Sequence, residues 1–468
     1  MAGRVASLIC CKGLSMNIVI VGDGKVGYSL AEQLCKEGYN ITVIDKNAEA
    51  LMHTQETLDV MGVLGNGASI AVQNQAGVPD CDVLIAATSA DEMNILCCLT
   101  AKNLGAKHTI ARIRNPEYMS QLQTLKEQFG LSMTVNPELE TAREIARVIK
   151  FSPALKIETF SKGRVELIEF KISQNSPIAH KKLMELPAAT NTQVLICAVD
   201  RDNQVHIPGG DFQLLPEDHI HITGTTADIT RFLHSIGEDG MPIRRIMIVG
   251  GGRICYYLCH MLLEDRGIDI KIVEKNRDRC DELCELLPKV TVIHGDGSDI
   301  ELLESEGMDQ MDAFIALTGM DEENLIMSMV ASHKGIPKII TKTARFKYMP
   351  LISRMGIDTV VNPKSTTTSQ IVQYVRAMSN AEGSNIITLH KILDGNAEAA
   401  EFVATEKTRH LDTPLKNLRL KENLLIAVIV RDGKVIIPHG QDMIQKGDSV
   451  IVVTSEHRLT DLNDIFRD

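Results

Sequence analysis

Gly22, Gly24 and Gly27 lie in the stretch IVIVGDGKVGYSL, directly after the apolar run NIVIV. Glycines at this spacing, between a strand and a helix, can hold a pyrophosphate. The first permits a tight turn, the second lets backbone approach the ligand, and the third lets the helix pack closely on the strand. The phosphates would lie at the helix N-terminus, where unpaired N–H groups and the helix dipole favour negative charge. Asp45 closes the next apolar run, 18 residues after Gly27. A carboxylate there can accept from both ribose hydroxyls and repels a 2′-phosphate, which favours NAD(H) over NADP(H). The alternative is a tight turn in a sheet that binds nothing.

A second copy of the loop follows about 230 residues later. IMIVGGGRICYYL at 246–258 keeps Gly250, Gly251 and Gly252, but Cys255 replaces the third glycine and Glu274 stands in for Asp45. The repeat runs on in register: VLGNGAS with VIHGDGSD, LIAATSADEMN with FIALTGMDEEN, TVNP with VVNP, and AVDRDNQVHIPGG with VIVRDGKVIIPHG. The period exceeds that of solenoid repeats and marks a doubled multidomain unit. Cations recur at two equivalent places, Lys25 with Arg253 and Arg112 with Lys342. That suits a pyrophosphate neighbourhood, or, for Lys25 especially, a solvated surface. Thr88 and Thr318 end the fourth predicted strands, beside the expected crevice. Ser89 with Glu92 also fits a capping box, and Asp91 and Asp321 fit a helix N-terminus.

Elements must place these groups. Apolar runs at 17–21, 41–45, 60–64, 82–88, 109–113 and 133–135 alternate with helical spacing, such as Val26, Leu30 and Leu34, which Gly38 ends. This pattern predicts an α/β fold with a doubly wound parallel sheet. Residues 139–149 read as a connecting helix. The pattern then changes to period-two alternation and hairpin turns, over roughly 152–237 and again 380–468, a small α+β domain used twice. The expected organisation is an N-terminal extension at 1–15 without order, a Rossmann-like domain at 16–138, a connecting helix and small domain at 139–237, and their duplicates at 243–364 and 365–468.

Composition narrows the function. The chain has 468 residues, a formal net charge of −12, 4% aromatics and no Trp. Nucleic acid is a poor partner for so acidic a surface, and aromatic stacking platforms are lacking. No run reaches the roughly 18 apolar residues of a membrane span. Cys255/Cys259 and Cys280/Cys284 are each four apart, a spacing open to a thiolate metal site but better read as buried free thiols. His206, His219 and His221 alternate on predicted strands, and their repeat partners are Ile436, Ser449 and Ile451. No acid/base constellation accompanies them, so a hydride-transfer enzyme lacks visible machinery.

Taken together, VGDGKVG…VID, GNGAS, TSADEMN, ARIRNPEY, VNPELE and their second-half equivalents make the chain resemble the TrkA-type regulatory subunits of bacterial potassium uptake, which carry two RCK units. The resemblance spans 16–468. It implies a non-enzymatic subunit, peripheral on the cytoplasmic face of a TrkH-like membrane transporter, assembled as a homotetrameric ring. It implies binding of NAD(H) and of adenine nucleotides including ATP and ADP. By matching position it assigns Gly22, Asp23, Gly24, Lys25, Val26, Gly27, Asp45, Thr88, Ser89 and Arg112 to the first site. Gly250, Gly251, Gly252, Arg253, Ile254 and Glu274 are assigned to the second, where the missing third glycine departs from the pattern. The remaining alternatives are a regulator of another potassium channel or antiporter, and an NAD-dependent oxidoreductase.

Overall fold

The computed structural model describes residues 16–467, apart from 120–127, 152–153, 187–191, 193, 203, 238–241, 265–266, 345–356, 358, 382–385, 394–395, 456–458 and 460. The expected N-terminal extension lies outside the described residues. The chain forms two compact units. One runs to Pro137 and adds Lys364–Val375, and the other comprises Glu138–Pro363 and Arg376–Asp468.

The first unit is built on β1 (Asn17–Val21), α1 (Lys25–Lys36), β2 (Asn40–Asp45), α2 (Ala48–Thr57), β3 (Met61–Leu64), α3 (Ile70–Gln75), β4 (Val83–Ala86), α4 (Asp91–Leu104), β5 (His108–Arg112), α5 (Pro116–Met119) and β6 (Met133–Val135). The six strands are parallel, in the order β3-β2-β1-β4-β5-β6. The order reverses between β1 and β4, and in such sheets the ligand crevice opens there, beyond the strand carboxyl ends. Strands buried on both faces read as continuous apolar runs, and Val83–Ala86 is buried throughout. Leu30, Ala31 and Leu34 put one face of α1 into the core. Gly38, at φ 87°, turns the chain out of the helix in a left-handed conformation. Asn47 caps α2 by accepting from Glu49 N and Ala50 N.

In the second unit, α6 (Pro137–Lys150) leads to β7 (Lys156–Phe160), β8 (Val165–Lys171), β9 (Leu195–Arg201), β10 (Gln204–His206), β11 (His219–Gly224) and α7 (Thr226–Ser235). The strands form a sheet ordered β10-β9-β11-β8-β7. A second parallel sheet follows from β12 (Arg245–Val249), α8 (Arg253–Leu262), β13 (Asp269–Glu274), α9 (Arg277–Leu286), β14 (Thr291–His294), α10 (Ile300–Ser305), β15 (Ala313–Ala316), α11 (Asp321–His333), β16 (Lys338–Lys342) and β17 (Thr359–Val361). Its order, β14-β13-β12-β15-β16-β17, repeats that of the first. The long helix α12 (Pro363–Ala381), of which Lys364–Val375 belongs to the first unit, leads to β18 (Ile386–Ile392), β19 (Ala397–Val403), β20 (Leu424–Arg431), β21 (Lys434–Ile436) and β22 (Ser449–Thr454), ordered β18-β19-β22-β20-β21.

The small sheets share a core. Phe160, Val165, Leu167 and Cys197 of one pack with Ile392, Ala399, Val428 and Val453 of the other. Glu401, buried on β19, accepts from Ser161 N at 3.1 Å, Ser161 Oγ at 2.7 Å and Ser449 Oγ at 2.5 Å. His390 on β18 faces Glu158 Oε2 at 2.8 Å through Nδ1 and the Thr159 carbonyl at 3.2 Å through Nε2. The duplication extends to single bonds. Arg201 clasps Asp218 bidentately and reaches Gln213 O, and Arg431 does the same with Asp448 and Met443 O.

Candidate functional site: the crevice at the glycine loop

The three glycines of the first loop sit in three different environments. Gly22 has φ 102°, and a Cβ there would lie 3.0 Å from the backbone of Thr88, so turn and close approach both require glycine. A Cβ on Gly27 would lie 1.8 Å from Gly22 O, which is how tightly α1 packs on the loop. A Cβ on Gly24 would meet nothing within 4 Å. Gly24 is the α1 N-cap, with ordinary extended backbone angles and no side-chain bond to the first-turn N–H groups. Lys25, next to it, is exposed, and Val26 is half-buried.

Asp45, at the end of β2, is tied into this loop. Its Oδ2 accepts from Asp23 N at 2.5 Å and its Oδ1 from Asn47 N at 2.7 Å. The carboxylate therefore fixes loop, strand end and helix start together, with lone pairs left over for further donors. The Asp23 carboxyl is pushed up from the usual range by burial, with Thr54 drawing it back and Asp45 adding to the rise.

Across the switch point, β4 ends at Ala86, so Thr88 and Ser89 lie in the loop beyond it rather than on the strand. The capping box expected from Ser89 and Glu92 does not form. The N-cap of α4 is Ala90, without a side-chain cap bond, and Glu92 instead accepts from Tyr118 Oη at 2.5 Å. Arg112 turns its guanidinium back across the loop, with Nη2 donating to Thr88 O at 2.6 Å. Arg114, which sequence reasoning did not single out, donates to Ser89 O. Asp91 Oδ2 accepts from Arg114 N and Asn115 N, both at 2.8 Å, and so pins the chain beyond β5.

Asn94 was also missed. It is fully buried, and all four of its hydrogen-bonding positions are used, on Thr88 and on Arg112 O. The signal was present, since Asn94 and Asn324 end the repeated DEMN and DEEN.

The second crevice reproduces the turn. Gly250 has φ 102° and would clash with Leu317 and Thr318, while Gly252 is open. Glu274 accepts from Gly251 N and Asn276 N, both at 2.7 Å. Three features differ. Cys255 is wholly buried where Gly27 stands in the first copy, with its sulfur 4.0 Å from that of Cys259. Leu283 packs where Gly251 lacks a side chain. Arg279 Nε donates to Gly251 O at 2.7 Å. Arg253 is exposed and Ile254 is buried. Lys342 donates to Leu317 O at 3.1 Å, and burial lowers its pKa.

Of the histidines singled out in the sequence, His219 and His221 face Glu169 at 3.2 and 3.6 Å within the small sheet, and His206 lies tilted against Phe212, with ring centroids 5.5 Å apart. Among the described residues, no three His, Cys, Asp or Glu side chains are grouped to hold a metal ion. None of the helices there is long and apolar enough to cross a membrane.

Two TrkA-N domain models match at 18–137 and 246–363, and two TrkA-C domain models at 167–237 and 399–467. The chain belongs to the TrkA family. TrkA homologue 1 of Methanosarcina mazei, a "Trk system potassium uptake protein", is 32% identical over 97% of this chain and all of its own length. The Halomonas elongata TrkA is 31% identical over 97% of this chain and 99% of its own. TrkA is a regulatory rather than an enzymatic family, with a role in potassium transport. Among solved structures, the GsuK RCK domain aligns with a TM-score of 0.61 at 18% identity, covering 95% of this chain and 93% of its own. The GsuK channel bound to NAD aligns with 0.62 at 17%, covering 95% and 78%. At such identities the likeness establishes the RCK fold, which is the tandem Rossmann-like architecture expected from the sequence.

Proposed function

We propose that this TrkA-family chain is a peripheral cytoplasmic subunit that senses adenine nucleotides and gates potassium flux through a TrkH-like membrane transporter, working in a homotetrameric ring. The observation that carries the nucleotide reading is the contrast within the first loop. Gly22 and Gly27 are closed in by backbone, whereas Gly24 faces open space at the uncapped N-terminus of α1. That is the cradle a pyrophosphate needs.

In this reading NAD(H), or ATP or ADP, is held by Gly22, Asp23, Gly24, Lys25, Val26 and Gly27 at the phosphates and Asp45 at the ribose. Thr88, Ser89 and Arg112 act on the far side of the switch point. Gly250, Gly251, Gly252, Arg253, Ile254 and Glu274 form the corresponding second site. The bound group supplies charge and shape complementarity, and a ligand shifts a conformational equilibrium only by its difference in affinity for the two states.

Calorimetric titration of the full chain with NADH tests the site through Gly24→Asp. An aspartate is a good N-cap, so the fold is kept, while its charge occupies the phosphate position. Unchanged thermal stability with abolished first-site binding is the expected result. Undiminished binding in this variant would remove the loop from the site.

A further inference from the structure

We propose that Asn94 is a positioning residue for the half of the nucleotide crevice that only a dinucleotide reaches. The inference rests on the nucleotide reading of the first crevice. Asn94 Oδ1 accepts from Thr88 N at 2.8 Å and from Thr88 Oγ1 at 2.7 Å. Its Nδ2 donates to Thr88 O at 3.3 Å and to Arg112 O at 2.8 Å. Two donors and two acceptors are thus all engaged. The amide orientation is fixed, because the flipped form would set its NH2 group against the Thr88 N–H.

One side chain in the first turns of α4 therefore ties the loop after β4 to the end of β5. Thr88 is in turn the residue whose backbone lies where a Gly22 side chain would go. The placement of Thr88 and of Arg112, from opposite sides of the β4–β5 pair, depends on this amide. Packing alone does not call for it. Asparagine is a weak helix former, and an apolar residue would fill a fully buried position without needing four partners.

The second unit repeats the device. Asn324 accepts from Thr318 N at 2.9 Å and Thr318 Oγ1 at 2.7 Å, and donates to Thr318 O at 3.2 Å and Lys342 O at 3.0 Å. The side chain at the strand end changes from Arg to Lys while the bond to its carbonyl stays. What is retained is the tie between strand ends.

The geometry implies a ligand-specific effect. In a doubly wound sheet a dinucleotide lies across the switch point, one nucleoside on each side. Asp45, on β2, serves the adenosine side, and Asn94 holds the β4–β5 side. Loosening Asn94 should cost affinity for NADH and spare ADP, which a general loss of stability would not do.

The test is calorimetric titration of the full chain with NADH and, separately, with ADP. Asn94→Asp keeps the acceptor for Thr88 and places a second oxygen against the two carbonyls, and Asn94→Ala removes all four bonds. Both should weaken first-site NADH binding about tenfold, or about 1.4 kcal/mol, and leave ADP affinity nearly unchanged. Asn324→Ala, which removes the same bonds in the other unit, should leave first-site affinity for both ligands intact. Equal weakening of NADH and ADP, no weakening of either, or loss of the fold in both Asn94 variants overturns the proposal. A wild-type chain that binds neither ligand overturns the nucleotide reading itself.

Discussion

The three glycines of the first loop predict three different mutational outcomes. Gly24 faces open space, so a side chain there should act on the ligand and spare the fold. Gly27 is the reverse case. A methyl group 1.8 Å from Gly22 O must push α1 or the loop away, and overpacking of this kind costs about 1–3 kcal/mol. Gly27→Ala should therefore lower the melting temperature of the chain and weaken NADH together, as read by paired melts and titrations. A melt equal to wild type would show that the loop has slack. Asp45→Ala removes acceptors for two backbone N–H groups besides any ribose contact. NADH affinity should fall by about 1.5–3 kcal/mol, the worth of charge-assisted hydrogen bonds, and unchanged affinity would remove Asp45 from the site. The glycines and Asp45 were legible because spacing and residue type constrain them directly. The roles of Asn94 and Arg114 were not, even though Asn94 recurs as Asn324, because they depend on how segments 18 or more residues apart in sequence meet in space.

Among the elements, the parallel sheets were readable strand by strand, since alternation of apolar runs with helical spacing leaves few topologies. The boundaries shifted where tertiary contacts overrode local pattern. β4 stops at Ala86, and Glu92, engaged by Tyr118 Oη, does not reach back to Ser89, so that Ala90 is the N-cap. The shared core of the two small sheets was not legible, because period-two alternation shows that a face is buried and not what buries it. That joint carries a testable charge cluster. Burial alone would raise Glu169, but hydrogen bonding from His219 and the charges of His221, His219 and Lys156 overcome it and hold the carboxyl down at about 2. Burial likewise opposes, and Lys156 with His390 outweighs, so that Glu158 also lies far below its ordinary range. A carboxyl depressed in the folded state contributes stability above its unfolded value of about 4, and this is lost as pH falls toward the folded value. His219 is raised by its bond to Glu169 against the effect of burial. Its contribution is complete below about 6.5 and is lost as pH rises through the raised value. His221, buried beside the same carboxylate, is pushed down by burial, so its protonation opposes folding as pH falls below about 6.5. Hydrogen exchange of β8 and β11 should thus be slowest near and just above that value, below the raised value of His219. Glu169→Gln should flatten the profile, and a wild-type profile that is already flat would contradict the assignment. Glu401→Ala, which strands the Ser161 N–H and two hydroxyls in the same joint, should destabilise it by about 1–3 kcal/mol, measurable as faster exchange of β19 and β22.

At the scale of the whole molecule, duplication gives two crevices built on one plan and then changed separately. Both keep the left-handed turn at the first glycine and the carboxylate tie at the end of the second strand. The second has Cys255 at the packing position and Arg279 on the carbonyl of Gly251 in its glycine loop. A protein that responds to nucleotides without consuming them needs rigid crevices whose state is felt elsewhere. The fully bonded ties at Asn94 and Asn324 supply the rigidity at the strand ends. The most direct test is hydrogen exchange across the full chain with and without NADH, with nicotinamide absorbance followed in the same samples. The expected result is slowed exchange over residues 22–30 and 86–94, altered exchange in elements that do not touch the crevice, and constant absorbance. Exchange that is identical with and without NADH, or absorbance that falls steadily as the nicotinamide is oxidised, would contradict the account.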